Sequence, residues 1–356
     1  MRILHLPYNV ASQISITVRA LRDIGVDARG LVLNSIPIQD DRGIDTHFIR
    51  RPYWKNPVRT ARQSIRWMRA FLSAVGWADV IHWHFAVANF PLALDLKYIA
   101  RLNKPRLVEF WGTDIRNPER AGSDNPYFFE LMKDEEAYPI SSRSSRRYQR
   151  RFADAGFDCL IPGPELFDYL LPDLFPAPYR IEAALPVLEI QPAYPDPEKK
   201  NPVVCHMPSH PKIKGTEHVL SAVRQLGREL DFEFRLIQDV PRQHVLDLVR
   251  TCDIVLDQFI IGSYGTVALE AMALGKPVLC YIKPAFLSRL PAGFPIVNAN
   301  PDNLVPVLRD LLKSGRLRND IGRKSRSYAE KHHDSRVVAR QLVDVYRNVI
   351  EKQTRK

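Results

Sequence analysis

The stretch Asp253–Val278, DIVLDQFIIGSYGTVALEAMALGKPV, decides how this chain is read. Asp253–Asp257 spells a short apolar strand. The loop Gln258–Gly265 follows and carries Gly262 and Gly265. A helix opens at about Thr266, and Lys276–Tyr281 returns to strand. Glycines in such a loop let the backbone approach an anion, and the helix start offers unpaired N–H groups with partial positive charge. Ser263 and Tyr264 sit in the same loop. Glu270 stands one turn into the helix, where a carboxylate accepting two hydrogen bonds suits a ribose diol. A plain strand–turn–helix with a surface glutamate has the same pattern, and loops of this kind are common.

A second segment, His206-Met-Pro-Ser-His-Pro-Lys-Ile-Lys-Gly-Thr216, repeats the arrangement. It too follows a strand and precedes a helix. Lys212 and Lys214 stand where a phosphate would want cations, and Ser209 stands in the turn. Two surface lysines in a turn look the same when this segment is taken alone.

Outward from these two segments, strands and helices alternate. The second half reads as strands at Pro202–Met207, Glu233–Gln238, Asp253–Asp257 and Lys276–Tyr281, with helices between. The first half has the same rhythm, with strands at Met1–Leu6, Ala28–Leu33, Asp79–His84, Arg106–Trp111 and Asp158–Ile161. Between Ile161 and Pro202 prolines crowd the sequence and argue against regular elements. Val338, Leu342, Val345 and Val349 form one apolar face of a terminal helix. The expected organisation is a first doubly wound domain over 1–184, a Pro-rich linker over 185–201, a second doubly wound domain over 202–335 and a closing helix over 336–356.

Composition fits this picture. The 356 residues are 45% hydrophobic and 26% charged, which excludes a disordered or collagen-like chain. The cysteines, Cys159, Cys205, Cys252 and Cys280, are too far apart for a CxxC knuckle and suit a reducing cytosol. The uncharged stretches Ile3–Val18 and Val80–Leu94 fall short of the ~20 residues of a spanning helix. A soluble, cytoplasmic chain is therefore expected. The 51 Lys+Arg against 40 Asp+Glu give a net charge of +11. Part of this lies in the acid-free run Arg50–Arg69 and part in Arg143–Arg151.

Together, the two loop segments resemble the carboxyl-terminal domain of glycosyltransferase family 4. The resemblance rests on Pro208, Ser209, Lys214, Gly215 and Thr216, on Cys252-Asp253-Ile254, and on Gly262-x-Tyr264-Gly265-Thr266-x(3)-Glu270 running on to Gly275-Lys276-Pro277. It implies an α/β protein of GT-B fold, with two facing Rossmann-like domains, a cleft between them and a helix crossing back. It further implies a retaining transferase using a nucleoside-diphosphate-sugar. Lys214 would bind the diphosphate, Gly265 and Thr266 would add backbone donors, and Glu270 would hold the ribose. No metal cofactor is implied.

Three positions depart from the family pattern. Gly262 stands where the first glutamate of the Glu-x7-Glu motif is expected. Pro208 and Ser209 stand where an arginine is common, leaving Lys212 or His210 as substitutes. Trp111 replaces a strand-end histidine. These departures keep two alternatives open, a catalytically degenerate homologue acting as a partner subunit and a sugar-nucleotide epimerase.

Smaller candidates remain. Asp114 and Arg116 follow Trp111 and could grip an acceptor, Asp114 also being a candidate catalytic group; an Asx-turn with a surface arginine reads equally well. Asn9 would lie near the donor sugar or serve as a turn former. His82 and His84 alternate on one strand and could share a metal, but without a third ligand nearby they read as core histidines. Arg59, Arg62, Arg66 and Arg69 share one side of a helix over Pro57–Trp77, opposite Ala61, Ile65, Met68, Leu72 and Val75. That helix is either packed on the core or laid on an anionic membrane, with Trp54, Trp67 and Trp77 near the headgroups. No nucleic-acid-binding signature accompanies the charge.

Overall fold

The computed structural model describes residues 1–33, 41–47, 57–122, 124–134, 142–238, 240 and 242–355. The strands, in chain order, are β1 (Arg2–Pro7), β2 (Asp27–Val32), β3 (Thr46–His47), β4 (Val80–His84), β5 (Arg106–Glu109), β6 (Asp158–Pro162), β7 (Tyr179–Ile181), β8 (Val203–His206), β9 (Glu233–Leu236), β10 (Ile254–Leu256), β11 (Val278–Cys280) and β12 (Val297–Asn298). The helices are α1 (Gln13–Asp23), α2 (Pro57–Trp77), α3 (Leu94–Arg101), α4 (Pro118–Gly122), α5 (Pro126–Met132), α6 (Ser142–Asp154), α7 (Pro211–Lys214), α8 (Thr216–Leu226), α9 (Arg242–Arg250), α10 (Thr266–Ala273), α11 (Pro284–Leu287), α12 (Leu304–Lys313), α13 (Gly315–His332) and α14 (Ser335–Thr354).

The chain divides into two units. The first comprises Met1–Asn117, Ser141–Ala184 and Ser335–Lys356; the second comprises Pro118–Ile140 and Leu185–Asp334. The expected bounds of 1–184 and 202–335 differ from this in two ways. Pro118–Ile140 falls with the second unit although it interrupts the sequence of the first. The Pro-rich stretch from Leu185 also falls with the second unit, because Arg326 ties it down by donating to the carbonyl of Ile190 at 2.6 Å.

The first unit is built on one parallel sheet of order β3-β2-β1-β4-β5-β6-β7. Its central strands β1, β4 and β5 are buried on both faces, as crossover helices require. Ile3, Val80, Leu107 and Leu160 form a core with Ile14, Val18 and Leu21 of α1. The apolar face of α14 closes this core through Val338, Leu342, Val345, Tyr346 and Val349. The second unit carries a parallel sheet of order β12-β11-β10-β8-β9. Val204, Ile254, Leu256 and Leu279 pack there against α8 and α12.

Sheet order fixes where a ligand site forms. In the first unit the order reverses between β1 and β4, and in the second between β8 and β10. Doubly wound sheets bind ligands beyond the carboxyl ends of strands at such switch points. At the β8/β10 switch point those ends lead into the two loops that the sequence singles out.

Candidate functional site

In the second unit the site is assembled on Asp257, the residue that follows β10. Its Oδ1 accepts from Lys214 Nζ at 2.8 Å, and its Oδ2 accepts from the Gly265 N–H at 2.6 Å. The carboxylate is almost wholly buried, and the lysine side chain is 11% exposed. Lys214 ends α7, and its carbonyl accepts from the Phe259 N–H at 3.2 Å, which ties the two loops together. A Cβ on Gly265 would meet Lys214 Nζ at 2.7 Å, so only glycine leaves the ammonium its place above the start of α10. One buried acid thus fixes a cation over a helix N-terminus. An ammonium has three hydrogens, and Asp257 takes one of them.

The floor beneath this cluster is polar and satisfied. His206 faces the Leu256 carbonyl through Nδ1 at 2.8 Å and Thr216 Oγ1 through Nε2 at 2.9 Å. Burial holds this imidazole down at about 4, so it is neutral at pH 7. As a neutral ring it donates from Nδ1 to the carbonyl and accepts from the threonine at Nε2. In the glycine loop, Gln258 donates through Nε2 to the Ser263 carbonyl. Glu270 is buried on α10, Thr266 opens that helix half-buried, and Tyr264 packs tilted against Phe294 with ring centres 5.5 Å apart. Ser209 and Lys212 are exposed, and Lys212 pairs with Asp134.

Gly262 is the most constrained point of the loop. Its φ is +83°, and a Cβ there would lie 2.4 Å from Lys283 Cγ, 3.0 Å from Lys283 Cδ and 3.3 Å from Asn125 Nδ2. Lys283 is 2% exposed, with Nζ paired to Asp124. Asn125 caps α5 and donates to the carbonyls of Ile260 and Ile261 at 2.8 and 3.1 Å. The space in which a side chain at position 262 would begin is therefore filled by the stem of Lys283 and by Asn125, from a segment of sequence far from the loop.

In the first unit the strand ends carry a different arrangement. Asp114 is fully buried, and its carboxylate accepts from three backbone N–H groups, those of Trp111 at 2.9 Å, Gly112 at 2.8 Å and Ala86 at 2.9 Å. It joins the β4 and β5 loops as an anchor of the backbone. Arg116 lies over Gly112 and pairs with Glu165 at 2.8 Å. Asn9 is buried and accepts from the Ser15 N–H at 3.3 Å. Trp111, two residues past β5, is half-buried.

The pair His82 and His84 has a third member, His5 of β1, which the sequence places far away. Parallel pairing sets His5 beside His82 and His84 beside Glu109, so all four side chains share one face. Glu109 Oε2 lies 2.8 Å from His84 Nδ1 and 3.2 Å from His82 Nε2. His5 Nδ1 faces His84 Nε2 at 2.9 Å. Tyr346 Oη, carried in by α14, lies 2.8 Å from His82 Nδ1 and 3.3 Å from His5 Nε2. Burial pushes the Glu109 carboxyl up, but the two histidines outweigh it and hold it at about 2. Burial also lowers His82 to about 4 and His5 well below its usual value.

Helix α2 packs through Trp67, Phe71 and Val75. Trp67 is thus a core residue and lies at no headgroup level, contrary to the expectation for it. Trp77 lies under the Arg29 guanidinium at 4.0 Å, and Trp54 falls outside the described residues. The aliphatic stripe Val58, Ile65, Met68 and Leu72 is exposed, next to exposed Arg62, Arg66 and Arg69. Arg59 is on the same helix, but its side chain is not among those described. Among the described residues no helix is long and apolar enough to cross a membrane.

Residues 226–328 match the family model for glycosyl transferases group 1. No curated protein matches the chain. Solved structures match over nearly its whole length. Sucrose-phosphate synthase from Thermosynechococcus elongatus aligns with a TM-score of 0.65 and 12% identity over 99% of this chain and 100% of its own. WaaG, a glycosyltransferase involved in lipopolysaccharide biosynthesis, aligns with a TM-score of 0.58 and 13% identity, covering 97% and 99%. Anabaena HepE, solved with UDP and glucose, aligns with a TM-score of 0.55 and 15% identity, also covering 97% and 99%. The fold is the GT-B fold of these glycosyltransferases.

Proposed function

We propose that this chain is a retaining glycosyltransferase of family 4 type. It moves a sugar from a nucleoside-diphosphate-sugar to an acceptor in cell-surface polysaccharide or glycolipid synthesis. The observation that carries the reading is the Lys214–Asp257–Gly265 cluster at the β8/β10 switch point. The family match over 226–328, which includes the glycine loop and α10, supports it.

The chemistry follows from charge. As the glycosidic bond to the donor breaks, negative charge collects on the leaving diphosphate. Fixed cations and N–H dipoles aimed there lower the barrier, because they need no reorganisation during reaction. The two remaining hydrogens of Lys214 and the N–H groups opening α10 at Thr266 fill this role. Asp257 is the positioning residue that keeps the ammonium in place. Glu270 takes the ribose, with Ser209, Ser263 and Tyr264 lining the loops. A lysine and a helix start supply the positive charge at the diphosphate, so no metal is assigned there. On the first unit, Trp111, Arg116 and Asn9 are the candidate acceptor-side groups, with Asp114 holding their loop. The UDP in the HepE structure makes uridine donors the first to test.

The test is nucleoside-diphosphate release from a panel of nucleotide-sugars, with binding followed by calorimetry. Lys214→Ala removes a charge-assisted contact of about 1.5–3 kcal/mol, so nucleoside-diphosphate binding falls roughly 10- to 100-fold. Glu270→Ala weakens the nucleoside but not inorganic pyrophosphate. Unchanged binding in both variants overturns the site. Binding without turnover of any donor favours the degenerate partner-subunit reading, because Gly262 and its surroundings exclude a carboxylate.

The same proposal places the protein peripherally on an anionic membrane surface in the cytoplasm. The exposed Val58, Ile65, Met68 and Leu72 of α2 would enter the headgroup boundary while Arg62, Arg66 and Arg69 meet the lipid phosphates. Each cation near such a surface contributes about 1 kcal/mol. Replacing the three arginines with Gln should lower co-sedimentation with phosphatidylserine vesicles by roughly 100-fold at low salt. Unchanged sedimentation removes the membrane from the proposal.

A further inference from the structure

The buried histidine group of the first unit has no part in sugar transfer as proposed above. His5, His82 and His84 are each at most 1% exposed, and one nitrogen from each lies within 4.8 Å of the others. Five polar contacts link the group into a closed ring. They run from Glu109 to His84, His84 to His5, His5 to Tyr346, Tyr346 to His82 and His82 back to Glu109.

The ring buries the Glu109 carboxylate among three imidazoles, an arrangement that is costly without a compensating cation. Its longest contact, His5 Nε2 to Tyr346 Oη at 3.3 Å, is the one most readily exchanged for another partner.

The carboxylate fixes which nitrogens are available. Contacts to Glu109 Oε2 place hydrogens on His84 Nδ1 and His82 Nε2. His84 Nε2 and His82 Nδ1 are left as lone pairs, turned toward His5 and Tyr346. A carboxylate behind a histidine, setting its tautomer and raising its basicity, is the usual outer shell of a histidine-ligated metal.

We propose that His5, His82 and His84 form a buried transition-metal site, with Glu109 orienting two of the rings and Tyr346 Oη as the fourth donor. Three imidazoles with one phenol suit Zn²⁺, Co²⁺, Ni²⁺ or Cu²⁺ and not the oxygen-seeking Mg²⁺ or Ca²⁺. Two nitrogens on one tetrahedral ion at about 2.1 Å stand about 3.4 Å apart. The widest pair, within 4.8 Å here, must therefore draw in by more than about one ångström. His5 and Tyr346 trade their contacts for bonds to the ion. α14 covers the site through Tyr346, so the ion exchanges as that helix opens and repacks, and the titration is run to equilibrium.

The test uses the full chain. It is expressed with zinc, dialysed without chelator and assayed for metal, then stripped and titrated with Co²⁺. One zinc per chain is expected, and one Co²⁺ per chain with a visible spectrum lacking thiolate charge-transfer bands. That last feature separates this site from the four buried cysteines. Glu109→Gln keeps all three imidazoles and should bind 10- to 100-fold more weakly. His5→Gln should abolish binding; if it does not fold, Glu109→Gln and the wild-type stoichiometry decide. The proposal is overturned by a folded stripped chain that takes up no metal, by thiolate bands in the cobalt form, or by full affinity in the Gln variants. In the first case a proton compensates Glu109 instead, visible as a doubly protonated imidazole by nitrogen NMR.

Discussion

Replacing Gly262 with alanine adds one methyl group at the tightest point of the glycine loop. At φ +83° a residue with a Cβ pays roughly 1–2 kcal/mol in backbone strain alone. The new atom also lies 2.4 Å from Lys283 Cγ, far inside contact distance. Lys283 cannot simply swing away, because its stem is buried and its ammonium is paired to Asp124. Overpacking of this kind costs about 1–3 kcal/mol. The two contributions give about 2–5 kcal/mol, all of it in the second unit. The assay exploits the placement of the tryptophans: Trp67, Trp77, Trp83 and Trp111 belong to the first unit, and the second unit's segments, Pro118–Ile140 and Leu185–Asp334, contain none. Urea unfolding is followed by tryptophan fluorescence and by far-UV circular dichroism. The fluorescence midpoint should stay while part of the dichroism transition moves to lower urea. Gly262→Glu should be at least as destabilised and should gain no donor turnover. A cost below about 0.5 kcal/mol for alanine, or a stable glutamate variant, refutes the argument that this position is closed.

Three further outcomes are expected. Gly265→Ala has no backbone strain to overcome, but its methyl group takes the place of Lys214 Nζ; nucleoside-diphosphate affinity should fall about 10-fold, with less than about 1 kcal/mol of stability lost, by calorimetry and denaturation. Asp114→Ala leaves three buried N–H groups without their acceptor and should cost about 3 kcal/mol or more in the fluorescence-monitored transition; a loss of turnover at unchanged stability would instead make Asp114 catalytic. His206 titrates near 6.5 when unfolded and at about 4 when folded. The unfolded chain binds the extra proton between those values, so stability is full above pH 6.5 and falls as pH drops toward 4, by about 3 kcal/mol in all. His206→Gln should flatten that part of the pH–stability curve of the second unit.

Much of this could be read from the chain because it was local. The βα rhythm and the apolar face of α14 are patterns within a few turns of sequence, and they formed as expected. Asp257 was missed because an acid at the end of an apolar strand carries no local mark; only the packing of two loops makes it the hinge of the site. His5 was missed because parallel pairing of β1 with β4 brings it across 77 residues to His82. The segment Pro118–Ile140 follows the same logic, since Asn125 finds its carbonyl partners more than 130 residues away. On α2 periodicity correctly gave the helix, but the arc that packs is shifted toward Trp67 and Phe71, because the bulkiest rings claim the core first.

The way the two units share the chain also bears on synthesis. The first unit needs Val338, Leu342 and Tyr346 to finish its interior, and the ribosome makes these only after every strand of the second unit. The early sheet must therefore wait, its apolar face open, until α14 has been translated. A transcript cut short anywhere before Ser335 yields a product with that face bare, an easy mark for chaperones and proteases. Packing of α14 is thus the step that completes the interior of the first unit.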